Sequence, residues 1–186
     1  MARVRLVEKE QAPQEVREVF QKIEANGARV INLYKAAANS PGTVLNVIRL
    51  GNSIIRRTEL AARLREMVIL RVARLSGCEY EWAHHAHLAK EAGLSQKQIE
   101  AIPDWKKSPA FSEQERAVLA YTDEVAKKVE VSARAFNKLK GFFDEQEIVE
   151  LSLIIGYYGM LARLLVPLQV EVEDDTGSAS DLTGSK

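Results

Sequence analysis

The chain is poor in cysteine, with a single thiol among 186 residues. One thiol cannot form an internal disulfide, which excludes the disulfide-rich scaffolds of small secreted proteins. Charge of one sign is not in excess either, because 26 Lys and Arg residues balance 26 Asp and Glu residues. A chain of zero net charge has no general attraction for phosphate backbones or anionic lipids, so we expect no nucleic-acid partner.

Long hydrophobic runs are also lacking. The longest strongly apolar stretch without a charge covers residues 151–162, which is shorter than the about 20 residues that a helix needs to span a bilayer. Charges interrupt every short apolar run within residues 1–10, so we expect no signal peptide. With 46% hydrophobic and 28% charged residues, the composition predicts a globular protein, which we expect to be cytoplasmic and without a membrane partner.

Strand signals are missing as well, since no alternating β-branched run is bounded by tight-turn residues. Apolar residues instead recur at spacings of three or four, which predicts an all-α fold of seven to nine helices. We expect a single helical domain over residues 1–172. Residues 173–186 are acidic and then rich in Ser, Gly and Thr, which is typical of a flexible tail.

Capping residues and glycines set the predicted boundaries. Helix-start patterns of the capping-box type occur at residues 95–98, 112–115 and 144–147, and Thr58 is predicted to cap the helix that follows it. The predicted helices cover about residues 13–25, 28–38, 41–55, 59–76, 78–92, 95–102, 112–128, 132–140 and 144–166. Residues 103–111 are predicted to form a loop.

One segment gathers most of the chemically active side chains. Residues 78–87 contain the only cysteine, all three histidines, a tryptophan and two glutamates. On a helix, four of these side chains fall within an arc of roughly 100°: Cys78, Glu81, Trp82 and His85. Because the same arc continues through apolar residues, we expect this face to be buried. Burying a thiol, a carboxyl and an imidazole costs free energy unless the groups are paired or used.

Each of these groups suits a chemical role. Cys78 lies at a helix start, where unpaired N–H groups and the helix dipole favour a thiolate. Glu81 and His85 are four residues apart and can meet, and a buried carboxyl of raised pKa beside an imidazole suits acid–base chemistry. Glu66, on the preceding helix, has small and apolar neighbours on its face. Since the two helices should pack antiparallel, we expect Glu66 to be at least half buried and able to reach the Cys78 face.

This spacing resembles that of the carboxymuconolactone decarboxylase and alkylhydroperoxidase D-like superfamily. Its peroxidase branch carries Glu, eleven residues, Cys-x-x-Cys, three residues and His; here these positions hold Glu66, Cys78, Glu81 and His85. The second cysteine is replaced by Glu81, and the His between the cysteines by Tyr80. The Glu-Trp-x-x-His form is instead similar to the decarboxylase branch. The resemblance covers roughly residues 40–170 and implies an alkylhydroperoxidase D-like helical domain.

The resemblance implies three possible functions. The first is a decarboxylase-like enzyme acting on a small carboxylated lactone or related acid, in which Glu81 and His85 move protons and Glu66 orients His85. The second is a peroxiredoxin-like antioxidant in which Cys78 reduces a hydroperoxide and is recycled by an external thiol, because no second cysteine is present to resolve it. The third is a non-catalytic oligomer that binds a small ligand. The family also implies homo-oligomers, commonly trimers or hexamers.

Further residues complete the expected site. Trp82, Tyr157 and Tyr158 are candidates for lining a pocket, and Tyr80 is expected to pack or to face another subunit. We expect no cofactor and no metal. An alternative set of metal ligands would be His84, His87 and Glu91, on the face opposite Cys78. A solvated or subunit-facing surface is the simpler interpretation of that face.

Overall fold

The computed structural model describes residues 1–173, so the predicted tail lies outside the described residues from position 174 onward. The all-α prediction is confirmed, because residues 1–173 contain nine α-helices, two short 3₁₀ helices and no strand. The α-helices are α1 (Gln14–Ala25), α2 (Asn32–Ala37), α3 (Pro41–Arg57), α4 (Ala62–Ser76), α5 (Glu79–Glu91), α6 (Gln96–Ala101), α7 (Glu113–Lys128), α8 (Ala133–Lys140) and α9 (Glu145–Leu165).

The predicted capping boxes are present. The Ser95 hydroxyl accepts a hydrogen bond from the Gln98 N–H, and the Ser112 hydroxyl accepts one from the Glu115 N–H, so that α6 and α7 begin where predicted. At the start of α9 the Asp144 carboxylate accepts the Glu147 N–H at 2.9 Å, and the Glu147 carboxylate accepts the Asp144 N–H at 3.1 Å. These local bonds satisfy donors that a helix start would otherwise leave open.

Three predicted boundaries are wrong. Residues 28–31 are not helical, and α2 begins only at Asn32. Thr58 does not cap α4, because its hydroxyl donates to the carbonyl of Ile54 at 2.8 Å and α4 begins four residues later. The predicted loop at 103–111 begins as a 3₁₀ helix, Ile102–Lys107, with a proline in its first turn, where a missing N–H costs nothing.

The described residues form two compact units, residues 54–164 and residues 1–53 with 165–173. In residues 1–53 with 165–173, α1 buries Val16 and Phe20, and the Arg3 N–H donates to the carbonyl of Leu168 at 2.8 Å. The single domain predicted for residues 1–172 is not tested by this division and stays a prediction.

The unit of residues 54–164 holds the chemically active helices. α4 and α5 are joined by Gly77, which takes the left-handed conformation at φ 63° that glycine adopts without strain. The Cys78 N–H donates to the carbonyl of Ala73 at 2.9 Å, and farther from the turn Glu66 contacts His85. Residues before the turn thus contact residues after it, and the contacts continue with increasing distance from Gly77. This is the arrangement of two antiparallel helices, as predicted.

A buried ion pair ties α4 to α7. The Arg71 guanidinium donates to both carboxylate oxygens of Asp123, at 2.6 and 3.1 Å, and also to the carbonyls of Ile102 and Pro103. Both ionic side chains are almost fully buried. A two-point Arg–carboxylate pair fixes the angle as well as the distance between the elements that carry it. α4, which carries Glu66, is therefore held in a set position relative to α7.

Within residues 1–173, α9 alone has the length and apolar composition of a membrane span. In this structure 61% of its most apolar window is buried inside the protein, as in the core helix of a globular fold.

Candidate active site

The centre of the candidate site is a contact between α4 and α5. The Nδ1 atom of His85 lies 2.7 Å from Oε2 of Glu66, and both side chains are buried. A carboxylate at this distance accepts a hydrogen bond from the ring nitrogen, which orients the imidazole and leaves its Nε2 atom for other partners. The prediction that Glu66 is buried and reaches the Cys78 face is thus confirmed by the geometry.

Glu66 is held at its second oxygen as well. Arg65 donates from Nε to Oε1 of Glu66 at 3.1 Å. Burial alone would raise the pKa of Glu66, but the electrostatic attraction and hydrogen bond of the His85 ring, followed by those of Arg65, bring the pKa below its ordinary value. Glu66 is therefore an ionised carboxylate in the folded protein at neutral pH.

Glu81 is a buried carboxyl of the opposite character. Glu81 is only 3% exposed, and within residues 1–173 neither of its carboxyl oxygens has a hydrogen-bond partner. Burial raises the pKa of Glu81 to about 8, against a small lowering by the nearby Cys78 thiol. The predicted pairing of Glu81 with His85 is wrong, because His85 is taken by Glu66. The raised pKa expected for a buried carboxyl is present.

Cys78 precedes the first residue of α5 and is 2% exposed. Burial and the Glu81 carboxyl raise the pKa of its thiol to about 12, although the backbone N–H groups of Glu81 and Tyr80 act in the opposite direction. The expected thiolate at the helix start is therefore wrong for this structure. The helix-start donors are present, but loss of hydration and a neighbouring acid outweigh them.

The aromatic candidates divide into two groups. Tyr158 of α9 places its ring at right angles to that of His85 with 5.0 Å between centroids, and Tyr157 packs against Tyr158 at 5.3 Å. Trp82 is only half-buried, contrary to its place on the predicted buried arc, and the Arg74 guanidinium lies 4.3 Å above its ring. Tyr158 is thus the aromatic side chain placed against the imidazole.

On the opposite face of α5, Glu91 is exposed and His87 half-buried, and only His84 differs from the predicted solvated surface. His84 is 7% exposed and its ring stacks on that of Tyr80 with 4.4 Å between centroids, so this position is buried rather than solvated. Among residues 1–173 no group of three or more His, Cys, Asp or Glu side chains is placed to hold a metal ion. The alternative metal set of His84, His87 and Glu91 therefore does not form in the described structure.

Sequence reasoning missed Arg65. Neighbouring residues on a helix point in different directions, so helical periodicity gave no reason to pair Arg65 with Glu66. The contact forms because the long side chain lets the Nε atom of Arg65 reach Oε1 of its neighbour Glu66 at 3.1 Å. The only signal in the sequence was a cation next to a carboxylate predicted to be buried, and such a carboxylate requires a partner.

Comparison with known proteins fits this geometry. Residues 41–124 match the model of the carboxymuconolactone decarboxylase family, and this stretch includes every predicted proton-moving residue. The uncharacterized protein YnjA of Escherichia coli K12 is 31% identical over 110 residues, which cover 58% of this chain and 60% of YnjA. The chain thus spans less than two thirds of the length of that relative.

Solved structures show the same fold. A protein of unknown function from Agrobacterium tumefaciens, with a proposed role in antioxidant defence as AhpD, superposes with a TM-score of 0.70 at 29% identity, covering 74% of this chain and 94% of that one. A peroxidase-related protein from Ralstonia eutropha JMP134 superposes with a TM-score of 0.82 at 16% identity, covering 97% and 96% of the two chains. The predicted alkylhydroperoxidase D-like helical fold is confirmed, and residues 41–124 are similar to the carboxymuconolactone decarboxylase family.

Proposed function

We propose that the chain is an acid–base enzyme of the carboxymuconolactone decarboxylase type, acting on a small carboxylated lactone or a related acid. The observation that carries the proposal is Glu81, a buried carboxyl with no hydrogen-bond partner within residues 1–173 and a pKa raised to about 8. Such a group keeps its proton at neutral pH and can donate it, which an ordinary surface glutamate does not do.

The proton transfers follow from the positions of three side chains. Loss of carbon dioxide from the substrate carboxylate leaves its bonding electron pair on carbon as an enolate. The Glu81 carboxyl supplies the proton that forms the new C–H bond. His85, held through Nδ1 by Glu66, presents Nε2 as the group that accepts or returns a proton on the substrate. Overall, one carboxylate and one proton give one C–H bond and one carbon dioxide.

Entry to the site requires movement of neighbouring side chains. Cys78, Glu81 and His85 are all at most 4% exposed, so they do not meet solvent in this structure. A closed, dry site suits a reaction that passes through an enolate, because water would protonate the intermediate at random. The same burial also favours the non-catalytic alternative, in which the side chains only fill the core, and turnover decides between them.

The test is turnover of a panel of small carboxylated lactones and their acids, followed by release of carbon dioxide. We expect Glu81→Gln to lower kcat/KM by at least about 100-fold, the usual contribution of a positioned proton donor. The matched control is Glu79→Gln, which changes an exposed carboxylate on the same helix turn, paired with Arg74 at 3.2 Å. This control should retain wild-type turnover.

The pH dependence adds a second criterion. Because Glu81 acts in its protonated form, we expect kcat/KM to fall as the pH rises through about 8, the pKa to which burial raises this carboxyl. A folded Glu81→Gln variant with undiminished turnover would contradict the role of Glu81. Absence of turnover throughout the panel, with no acid or lactone bound, would favour the non-catalytic ligand-binding alternative.

A thiol peroxidase is the second candidate, favoured by the proximity of Cys78 and Glu81, which lie close enough for each group to shift the pKa of the other. In this cycle Glu81, once ionised, takes the thiol proton, and the sulfur attacks the hydroperoxide to give a sulfenic acid and an alcohol. Two external thiols then return Cys78 to the thiol, with release of water and a disulfide. The role in antioxidant defence proposed for the Agrobacterium protein agrees with such chemistry.

The reactivity of Cys78 distinguishes the two candidates. Burial and Glu81 raise the pKa of this thiol to about 12, so we expect its alkylation by iodoacetamide at pH 7 to be slower than that of free cysteine by at least about tenfold. The rate should be measured against pH, with the urea-unfolded protein as the control for exposure. A rate above that of free cysteine would support the peroxidase and contradict the protonated thiol.

A further inference from the structure

Arg65 links the Glu66 carboxylate to the C-terminal end of α3. Its Nε atom donates to Oε1 of Glu66 at 3.1 Å, and its Nη1 atom donates to the carbonyl of Ile55 at 3.1 Å. Ile55 lies in the last turn of α3, where carbonyls have no partner within the helix. The Arg65 side chain is 12% exposed, so its charge is largely shielded from water.

Charge balance gives this arrangement a purpose. A buried carboxylate with His85 as its only partner would stabilise the protonated, positively charged imidazole. An imidazolium has no lone pair at Nε2 and cannot accept a proton. A guanidinium, by contrast, stays charged at every relevant pH, so it neutralises Glu66 permanently without demanding a proton from the histidine.

We propose that Arg65 is a positioning residue that occupies one oxygen of Glu66 and balances its charge, so that His85 is oriented by Glu66 and yet remains neutral with Nε2 able to accept a proton. This inference deepens the proposed function and rests on it, since it assigns a purpose to the neutral form of His85. The charge state of His85 can nevertheless be measured without any substrate.

Titratable and charged groups on two helices besides the rest of α5 are placed near the imidazole. Glu66 and Arg65 belong to α4, Glu81 lies one turn earlier on α5, and Tyr158 of α9 contacts the ring edge-on. Glu81 is neutral at neutral pH because burial raises its pKa to about 8. Arg65 and Glu66 are thus the charged side chains nearest along the hydrogen-bonded chain that leads to the imidazole.

The experiment is a pH titration of the His85 side-chain nitrogens by NMR in protein labelled with ¹⁵N at histidine, with His85→Gln identifying the signals among those of the three histidines. We expect Arg65→Met to move the midpoint of the His85 titration upward by about one pH unit relative to the wild type. Arg65→Gln, which retains a hydrogen-bond donor and removes the charge, should shift it in the same direction and serves as well if the methionine variant does not fold.

Two further variants separate a charge effect from simple destabilisation. Arg65→Lys keeps the positive charge and should restore a midpoint close to the wild type. Arg63→Met is the matched control, because Arg63 on the same helix also joins a carboxylate, Glu115, to a carbonyl, that of Gly93, and does not contact Glu66. The Arg63 variant should lose stability without moving the His85 midpoint.

The outcomes are distinct from those of the turnover test. An unchanged midpoint in folded Arg65→Met and Arg65→Gln overturns the inference, as does an equal shift in Arg65→Lys or in Arg63→Met. A shifted midpoint in a protein that turns over no acid or lactone supports the role of Arg65 and contradicts only the proposed function. Turnover that depends on Glu81, with no shift on removing Arg65, contradicts only the inference.

Discussion

Two glutamates on adjacent helices show how the surroundings of a side chain determine its chemistry. Glu66 has a histidine and an arginine on its two oxygens, and its pKa lies below the ordinary value. Glu81 is equally buried, but without a hydrogen-bond partner within residues 1–173, and its pKa is raised to about 8. When the pKa values of two carboxyls are shifted in opposite directions, one carboxyl stays ionised and the other keeps its proton at neutral pH. Acid–base chemistry needs both a fixed charge and a proton donor of this kind.

The unpartnered Glu81 makes a prediction about stability. In the unfolded chain this carboxyl loses its proton near pH 4.5, whereas burial in the folded protein delays the loss to about pH 8. The folded state therefore binds more protons between these values, so the contribution of Glu81 to stability is greatest below about pH 4.5 and falls as the pH rises toward 8. We expect wild type to lose on the order of 3 kcal/mol more than Glu81→Gln between pH 5 and pH 8.

Urea unfolding of the two proteins at both pH values measures this difference, and Glu79→Gln, whose carboxylate is exposed, should follow the wild type. Parallel loss of stability in wild type and Glu81→Gln would show that Glu81 is ionised in the folded protein.

Among the helices, the boundaries that could be predicted were those fixed by neighbouring residues. Serine caps at the starts of α6 and α7 act over three residues, so the sequence contains the whole interaction. Thr58 looked equally suitable as a cap, yet its hydroxyl bonds backward to Ile54. α7 ends at Lys128 as predicted, but through a cap that sequence rules assign to glycine: Val129 takes the left-handed conformation at φ 64°, which a β-branched residue rarely adopts.

The candidate site divides along the same line. The arc of one helix was sufficient to place Cys78, Glu81 and His85 together on a buried face. Helical periodicity could not show which carboxylate pairs with His85, because that depends on the position of α4 along the axis of α5. It also could not show the pKa of Cys78, because burial from surrounding elements competes there with the local helix-start donors.

At the scale of the whole molecule, the outer side of α9 is uncovered. Val149, Leu153 and Met160 are exposed at 57%, 51% and 44%, and their spacing places them in one stripe along the helix. Gly156, also exposed, lies between them on the same line. A continuous apolar stripe in water costs free energy, and a second copy of the chain would remove it from solvent. This agrees with the trimers or hexamers that the family resemblance implies.

We therefore expect the chain to form a homo-oligomer through the α9 stripe, with a mass in solution that is a multiple of 20.8 kDa. Leu153→Lys places a charge in the middle of the stripe and should shift the population toward monomer, as measured by size-exclusion chromatography with light scattering. Phe136→Lys is the matched control, because Phe136 is an exposed apolar side chain (39%) on α8, away from the stripe, and its replacement should leave the mass unchanged.

A monomeric wild type, or a Leu153→Lys variant of unaltered mass, would exclude this stripe as the subunit interface. If the variant is monomeric and still folded, comparing its turnover with that of the wild type shows whether the Glu66–His85 site, which lies within one chain, works without a partner subunit.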